Sequence, residues 1–122
     1  MAGSAAKEVI EQRLAETLLV GPISNELAAR SLGLSLTYCE PTSNTALRLD
    51  VDGSSAIGRL TWWSDGRVYL EALRSSDESS LLSAHLVALS SEQALGMLKV
   101  LMAVVGGLPS NSSFEADGAA AA

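Results

Sequence analysis

The segment GRLTWWSDGRVYLEAL, residues 58–73, constrains the fold of this chain more than any other. Apolar and polar residues alternate on both sides of Ser64-Asp65-Gly66, and a period of two is typical of β-strands. The three residues between the runs suit a type I turn followed by a glycine in the left-handed region. The segment therefore predicts a β-hairpin, with Trp62 opposite Val68 and Leu60 opposite Leu70.

The predicted hairpin has two different faces. Leu60, Trp62, Val68 and Leu70 share an apolar face, which indicates a core position for Trp62. The other face combines aromatic and charged side chains, the mixture that is enriched at protein–protein hot spots. Cross-strand packing on an ordinary solvated face is the alternative. We predict that this second face binds a partner through Arg59, Trp63, Arg67, Tyr69 and Glu71.

The N-terminal part of the chain has helical periodicity. Ile10, Leu14 and Leu18 recur at intervals of four residues from Ser4 to Val20. Gly21-Pro22 is expected to end this helix. Residues 23–32 then form a second short helix, or the two segments form one bent arm.

The middle of the chain alternates again with a period of two. Further strands are predicted at residues 34–39, 47–51 and 81–89, with a polar loop at residues 75–80 before the last of them. Ser90 and Gln93 form a capping-box pattern, which predicts the start of a final helix that continues to Val105 and ends at Gly106-Gly107.

These elements predict an α+β fold, an antiparallel sheet of about five strands with N-terminal and C-terminal helices packed on one face. Residues 1–108 form one domain, and residues 109–122 are expected to be a flexible tail. The predicted core contains Leu36, Leu47, Leu49, Leu60, Trp62, Leu70, Leu98 and Leu101.

Composition limits the classes of partner. The formal net charge is −6, with 8 lysines and arginines against 14 acidic residues, and no basic cluster suggests nucleic-acid binding. The most apolar segment, residues 95–108, is too short to span a membrane. A single cysteine and the absence of a signal-peptide pattern predict a cytoplasmic protein. Its free state is expected to be a monomer or a weak dimer.

Catalytic motifs are not evident in the sequence. No phosphate-binding glycine pattern and no set of metal ligands at fixed spacing occurs, so no cofactor is predicted. A Cys39–His85 nucleophile pair is the one conceivable catalytic arrangement, and it rests on a single copy of each residue type. We expect the protein not to be an enzyme.

The hairpin and the segment after it resemble the TriTu-type immunity proteins. The shared pattern is carried by Gly58-Arg59-Leu60, Trp63, Gly66, Leu70-Glu71-Ala72 and His85-Leu86. Members of this family protect bacteria against type VI secretion ADP-ribosyltransferase toxins that modify elongation factor Tu. Tyr69 departs from the pattern, since an acidic residue commonly precedes the Leu-Glu pair.

The resemblance implies an immunity protein that binds a cognate toxin domain and occludes its active-site cleft. Two other functions are compatible with the residues. A type III secretion chaperone would also be small, acidic and α+β, and it would dimerise through the helix at residues 95–105. A small enzyme would use Cys39 and His85.

Overall fold

The computed structural model describes residues 5–40 and 44–106. Its elements are helix α1 (Ala5–Gln12), a π-helical turn (Glu16–Val20), helix α2 (Gly21–Ala29), five strands and a C-terminal helix α3 (Ser91–Gly106). The strands are β1 (Gly33–Cys39), β2 (Ala46–Asp52), β3 (Ala56–Trp63), β4 (Arg67–Arg74) and β5 (Ser80–Val87). The predicted tail, residues 109–122, lies outside the described residues. No helix within the described ranges is long and apolar enough to cross a membrane.

The N-terminal helices depart from the sequence prediction, because the chain breaks at Arg13 rather than at Gly21-Pro22. Arg13 has a φ of 57° and ends α1, with the N–H of Leu14 donating to the carbonyl of Val9 at 2.9 Å. This is the geometry of a Schellman C-cap, which usually contains glycine. The Arg13 guanidinium pairs with Glu40 and lies 4.3 Å from the centre of the Tyr38 ring. These contacts from β1 and the residue after it stabilise the unusual backbone.

Gly21-Pro22 lies inside continuous helical structure. Gly21 has helical angles, and its N–H donates to the carbonyl of Glu16, five residues earlier. Pro22 has no N–H to donate, but it occupies the first turn of α2, where the missing donor carries little cost. The proline is therefore accommodated by a π-helical turn and does not end the helix.

The five strands form one antiparallel sheet in the order β1-β2-β3-β4-β5. Each strand pairs with its sequence neighbours, so the sheet is a meander with β1 and β5 at its edges. A bulge between Ala72 and Leu73 shifts the register at the start of β5. The α+β fold with a five-stranded antiparallel sheet and helices from both ends of the chain is confirmed.

The central hairpin adopts the predicted register. Trp62 lies opposite Val68, and Leu60 lies opposite Leu70. The N–H of Gly66 donates to the carbonyl of Trp63 at 2.9 Å, and Gly66 has a φ of 100°, a conformation that favours glycine. The three-residue loop and the bulge glycine are therefore confirmed.

One core lies between the helices and the apolar face of the sheet. α3 packs on β3, β4 and β2, and it also contacts α1 and the π-helical turn. Trp62 is fully buried, and its indole N–H donates to the carbonyl of Ala88 at 3.2 Å. Seven of the eight predicted core residues are buried. The exception is Leu36, which is half-buried because β1 is an edge strand.

Gly58 allows α3 to approach the sheet closely. A Cβ at this position would lie 2.6 Å from Cγ2 of Val105 and 2.7 Å from Cδ1 of Leu101. We expect Gly58→Ala to lower the free energy of unfolding by about 1–3 kcal/mol, because it overpacks a close-packed layer. Urea denaturation followed by circular dichroism would measure the change.

Gly96→Ala is the matched control for this prediction. A Cβ at Gly96 meets no atom within 4 Å, and the residue is exposed within α3. Alanine is the better helix former, so Gly96→Ala is expected to raise stability by up to about 1 kcal/mol. Equal stability of the two variants would contradict the close packing of α3 on β3.

Candidate partner-binding site

The helices cover one face of the sheet and leave the other uncovered. We call the uncovered surface the open face. In β1–β3 it comprises Ser35, Thr37, Cys39, Ala46, Arg48, Asp50, Asp52, Ile57, Arg59, Thr61 and Trp63. In β4 and β5 it comprises Arg67, Tyr69, Glu71, Leu73, Ser83, His85 and Val87.

A charged cluster occupies the middle of the open face. Asp50 on β2 lies opposite Arg59 on β3, and the Arg59 Nε donates to Asp50 Oδ1 at 2.6 Å. The Arg48 Nε donates to the other oxygen of the same carboxylate at 3.2 Å. The hydrogen bond to Asp50 raises the pKa of Arg59 above its ordinary value, so the guanidinium stays charged. Glu71 lies on the other side of Arg59 and forms no ion pair within the described residues.

Two aromatic side chains lie beside this cluster. The guanidinium of Arg67 lies 5.6 Å from the centre of the Trp63 ring, within the range of a cation–π contact. Tyr69 stacks on His85 of β5, with ring centres 4.5 Å apart and planes 28° apart. The hydroxyl groups of Tyr69 and Ser83 are 3.2 Å apart and share a hydrogen bond. Each ring is therefore held in one orientation before any partner binds.

The turn between β3 and β4 fixes the position of Arg67. Asp65 accepts hydrogen bonds from the backbone N–H of Arg67 at 3.0 Å and from its Nε at 2.9 Å. The backbone hydrogen bond, helped by the nearby guanidinium, lowers the pKa of the Asp65 carboxyl. Asn44 also contacts this turn, because it accepts a hydrogen bond from the Ser64 hydroxyl at 2.8 Å. The turn thus orients Arg67 above Trp63.

A shallow depression of ≈ 320 Å³ extends from the charged cluster towards the end of the open face away from the β3–β4 turn. Its lining includes acidic, basic and apolar side chains, namely Asp50, Asp52, Glu71, Arg59, Ile57 and Leu73. The open face therefore has an aromatic end near the β3–β4 turn and an acidic depression at the opposite end. Such a surface offers apolar contact area and charge pairing to one protein partner.

The structure brings all the predicted site residues onto this one surface. Arg59, Trp63, Arg67, Tyr69 and Glu71 share the open face. The prediction missed the contributions of Arg48, Asp50 and His85 to the same face. The alternation of apolar and polar residues within β2 and β5 shows which side of its own strand each of these residues occupies. It places them on the open face only once the order of the strands is known.

The structure does not form the Cys39–His85 nucleophile pair of the alternative enzyme hypothesis. Cys39 lies on β1 and His85 lies on β5, at opposite edges of the sheet. Four inter-strand spacings separate them, a distance of about 19 Å. His85 is instead stacked on Tyr69. Within residues 5–40 and 44–106, no group of three or more His, Cys, Asp or Glu residues is arranged to hold a metal ion.

Comparison with known proteins identifies the family. A family model described as "Immunity protein TriTu" matches residues 19–104, from the π-helical turn to α3. A search of curated proteins found no match. The matched range covers most of the chain and includes all five strands, so it contains the whole open face. The chain therefore belongs to the TriTu family of immunity proteins.

Proposed function

We propose that this protein neutralises a cognate ADP-ribosyltransferase toxin, delivered by a type VI secretion system, by placing its open face over the toxin's active-site cleft. An immunity protein has a toxin as its protein partner, and the family supports that general role. We further propose that it acts in the cytoplasm, as a stoichiometric inhibitor and not as an enzyme.

One observation carries this proposal: some residues of the TriTu-type sequence pattern are buried in the core, and others lie on the surface. Gly58, Leu60, Leu70 and Ala72 are buried in the core layer, and Gly66 forms the hairpin turn. Arg59, Trp63, Glu71 and His85 lie on the open face, whereas Leu86 is exposed on the helical side of the sheet. The fold accounts for the first group without a partner. A partner-binding surface accounts for the second.

Charge and packing favour the same function. The net charge of −6 would accelerate association with a basic toxin surface. The chaperone alternative required a dimer formed through the C-terminal helix. The main apolar stripe of that helix, Leu98, Leu101, Met102 and Val105, is already buried against its own sheet, and Val100 is exposed. The buried stripe of this helix is therefore not available for the dimer that the chaperone alternative requires.

Titration of the cognate toxin domain would test the proposal. NAD binding to the toxin domain, and its modification of elongation factor Tu, would be measured with increasing amounts of this protein. We expect both to fall linearly and to vanish at one equivalent, because a bound inhibitor covers one cleft at a time. A stoichiometric complex that still binds NAD would overturn occlusion of the cleft.

Two controls separate binding from catalysis. Complete protection at amounts far below one equivalent would indicate turnover and would contradict the inhibitor proposal. Cys39→Ala is expected to protect as well as the unaltered protein, because Cys39 lies at the edge of the sheet far from His85. Loss of protection in Cys39→Ala, with an unchanged melting temperature and an unchanged affinity for the toxin domain, would require a chemical role for the thiol.

A further inference from the structure

The β5 edge of the sheet is apolar and uncovered. Val87 is 55% exposed, Leu86 is 38% exposed, and Leu81 and Leu89 are also exposed. Natural proteins protect edge strands with lysine, proline, inward-pointing charges or bulges. Residues 80–87 contain no lysine, proline or carboxylate, and the bulge lies only at the start of the strand. An edge of this kind is suited to pairing with another strand.

The two edges of the sheet differ in this respect. The apolar side chains of β1, Leu34, Leu36 and Tyr38, pack against the core, and none is among the exposed large apolar residues of the described chain. α3 packs mainly on β3, and it leaves Leu86 of β5 exposed on the helical side of the sheet. The helical layer therefore stops short of the end of β5: Leu82 packs against the core, but Leu86 is left exposed.

We infer that β5 pairs with β5 of a second copy of this chain and extends the two sheets into one. An antiparallel pairing about a two-fold axis at Ala84 is self-complementary. Directly opposite residues then share a face, so Leu82 pairs with Leu86 on the helical side, and Ser83 pairs with His85 on the open side. A register shifted by two residues in either direction would separate the leucines. The sequence of β5 thus favours its own copy as the partner strand.

Charge and area set the strength of this dimer. A protein of net charge −6 repels its own copies, but residues 80–87 bring no carboxylate to the pairing, so no like charges lie opposite each other across it. The exposed apolar strip is on the order of a few hundred Å² per copy. A stable interface buries about 800 Å² per partner, so we expect a weak, concentration-dependent dimer. The axis is perpendicular to the sheet and leaves both open faces on the same side, free to bind toxin.

Sedimentation velocity over a range from low-micromolar to near-millimolar concentration would test this inference. The average mass should rise with concentration from that of the 12.6 kDa monomer towards twice that value. Leu86→Lys should remain monomeric throughout, because it places a charge opposite Leu82 of the second copy. Val100→Lys is the matched control, since Val100 on α3 is 50% exposed, and this variant should dimerise like the unaltered protein.

A disulfide tests the register directly. Ala84→Cys in a Cys39→Ser background leaves one thiol per chain, and it places two thiols opposite each other at the two-fold axis. Mild oxidation should give covalent dimers quickly, whereas Ser83→Cys in the same background should cross-link slowly. A monomer at every concentration, or a dimer that Leu86→Lys leaves unchanged, would overturn the inference. Toxin binding by monomeric Leu86→Lys is expected to persist, so this test is independent of the proposed function.

Discussion

Replacing Trp63 and Tyr69 together by alanine is expected to weaken binding to the cognate toxin by more than about 3 kcal/mol, or over about a hundredfold in Kd. Both rings are half-buried on the open face, where Arg67 and His85 hold them in place. Rigid aromatic side chains lose little entropy on binding and bury a large area, and for this reason they dominate hot spots. Calorimetric titration against the toxin domain would measure the loss, and protection in cells should fall in parallel.

The stability of the double variant should stay close to that of the unaltered protein, because neither ring contributes to the core. Val100→Ala is the control, since it shortens an exposed apolar side chain on the helical layer. It should leave the affinity unchanged. An unchanged affinity in the double variant would remove the open face from the interface. The search would then turn to the exposed acidic residues Glu8, Glu11 and Glu16 of the N-terminal helices.

Leu70→Ala is expected to lower the free energy of unfolding by about 2–5 kcal/mol. Leu70 is 2% exposed and lies opposite Leu60 on one side and Ala84 on the other. Its removal leaves a cavity between the sheet and the helices that neighbouring strands cannot fill without losing their own pairing. Denaturation in urea would give the free energy and show whether unfolding remains cooperative.

Ile57→Ala is the control for Leu70→Ala. Ile57 lies on the open face of the same sheet and is 46% exposed, so its truncation should cost less than about 1 kcal/mol. A similar loss in both variants would contradict the assignment of the core to the helical side of the sheet.

The strands could be predicted from the local alternation of apolar and polar residues, but the path of the N-terminal helices could not be predicted from local sequence. Alternation and the Ser64-Asp65-Gly66 turn specify the β3–β4 register, because a shift of one residue would expose Trp62. The helix break at Arg13 depends on Glu40 and Tyr38, which are distant in sequence. Gly21-Pro22 is a strong local signal for a helix end, but the π-helical turn accommodates it. The contacts of Arg13 with β1 and the residue after it determine where the first helix ends. A local sequence pattern does not include such long-range contacts.

Only part of the site could be predicted, because one hairpin is local in sequence and the strands beside it are not. Trp63, Arg67, Tyr69, Arg59 and Glu71 belong to one hairpin, so its register alone places them on one face. The partners of Arg59 and Tyr69 come from β2 and β5. Asp50 accepts hydrogen bonds from both Arg48 and Arg59, so it holds the charged cluster together. Those pairings required the strand order, which five short apolar runs do not determine.

The opposite orientation of two consecutive tryptophans gives this protein separate optical reporters for folding and for binding. The indole of Trp62 is fully buried, and its fluorescence should shift to longer wavelength only when the chain unfolds. Trp63 faces the other way, beside the Arg67 guanidinium, where emission should respond to a docked partner. Trp63→Phe isolates the first signal and Trp62→Phe the second. A single fluorimeter trace from each protein would then follow a different event without any attached dye.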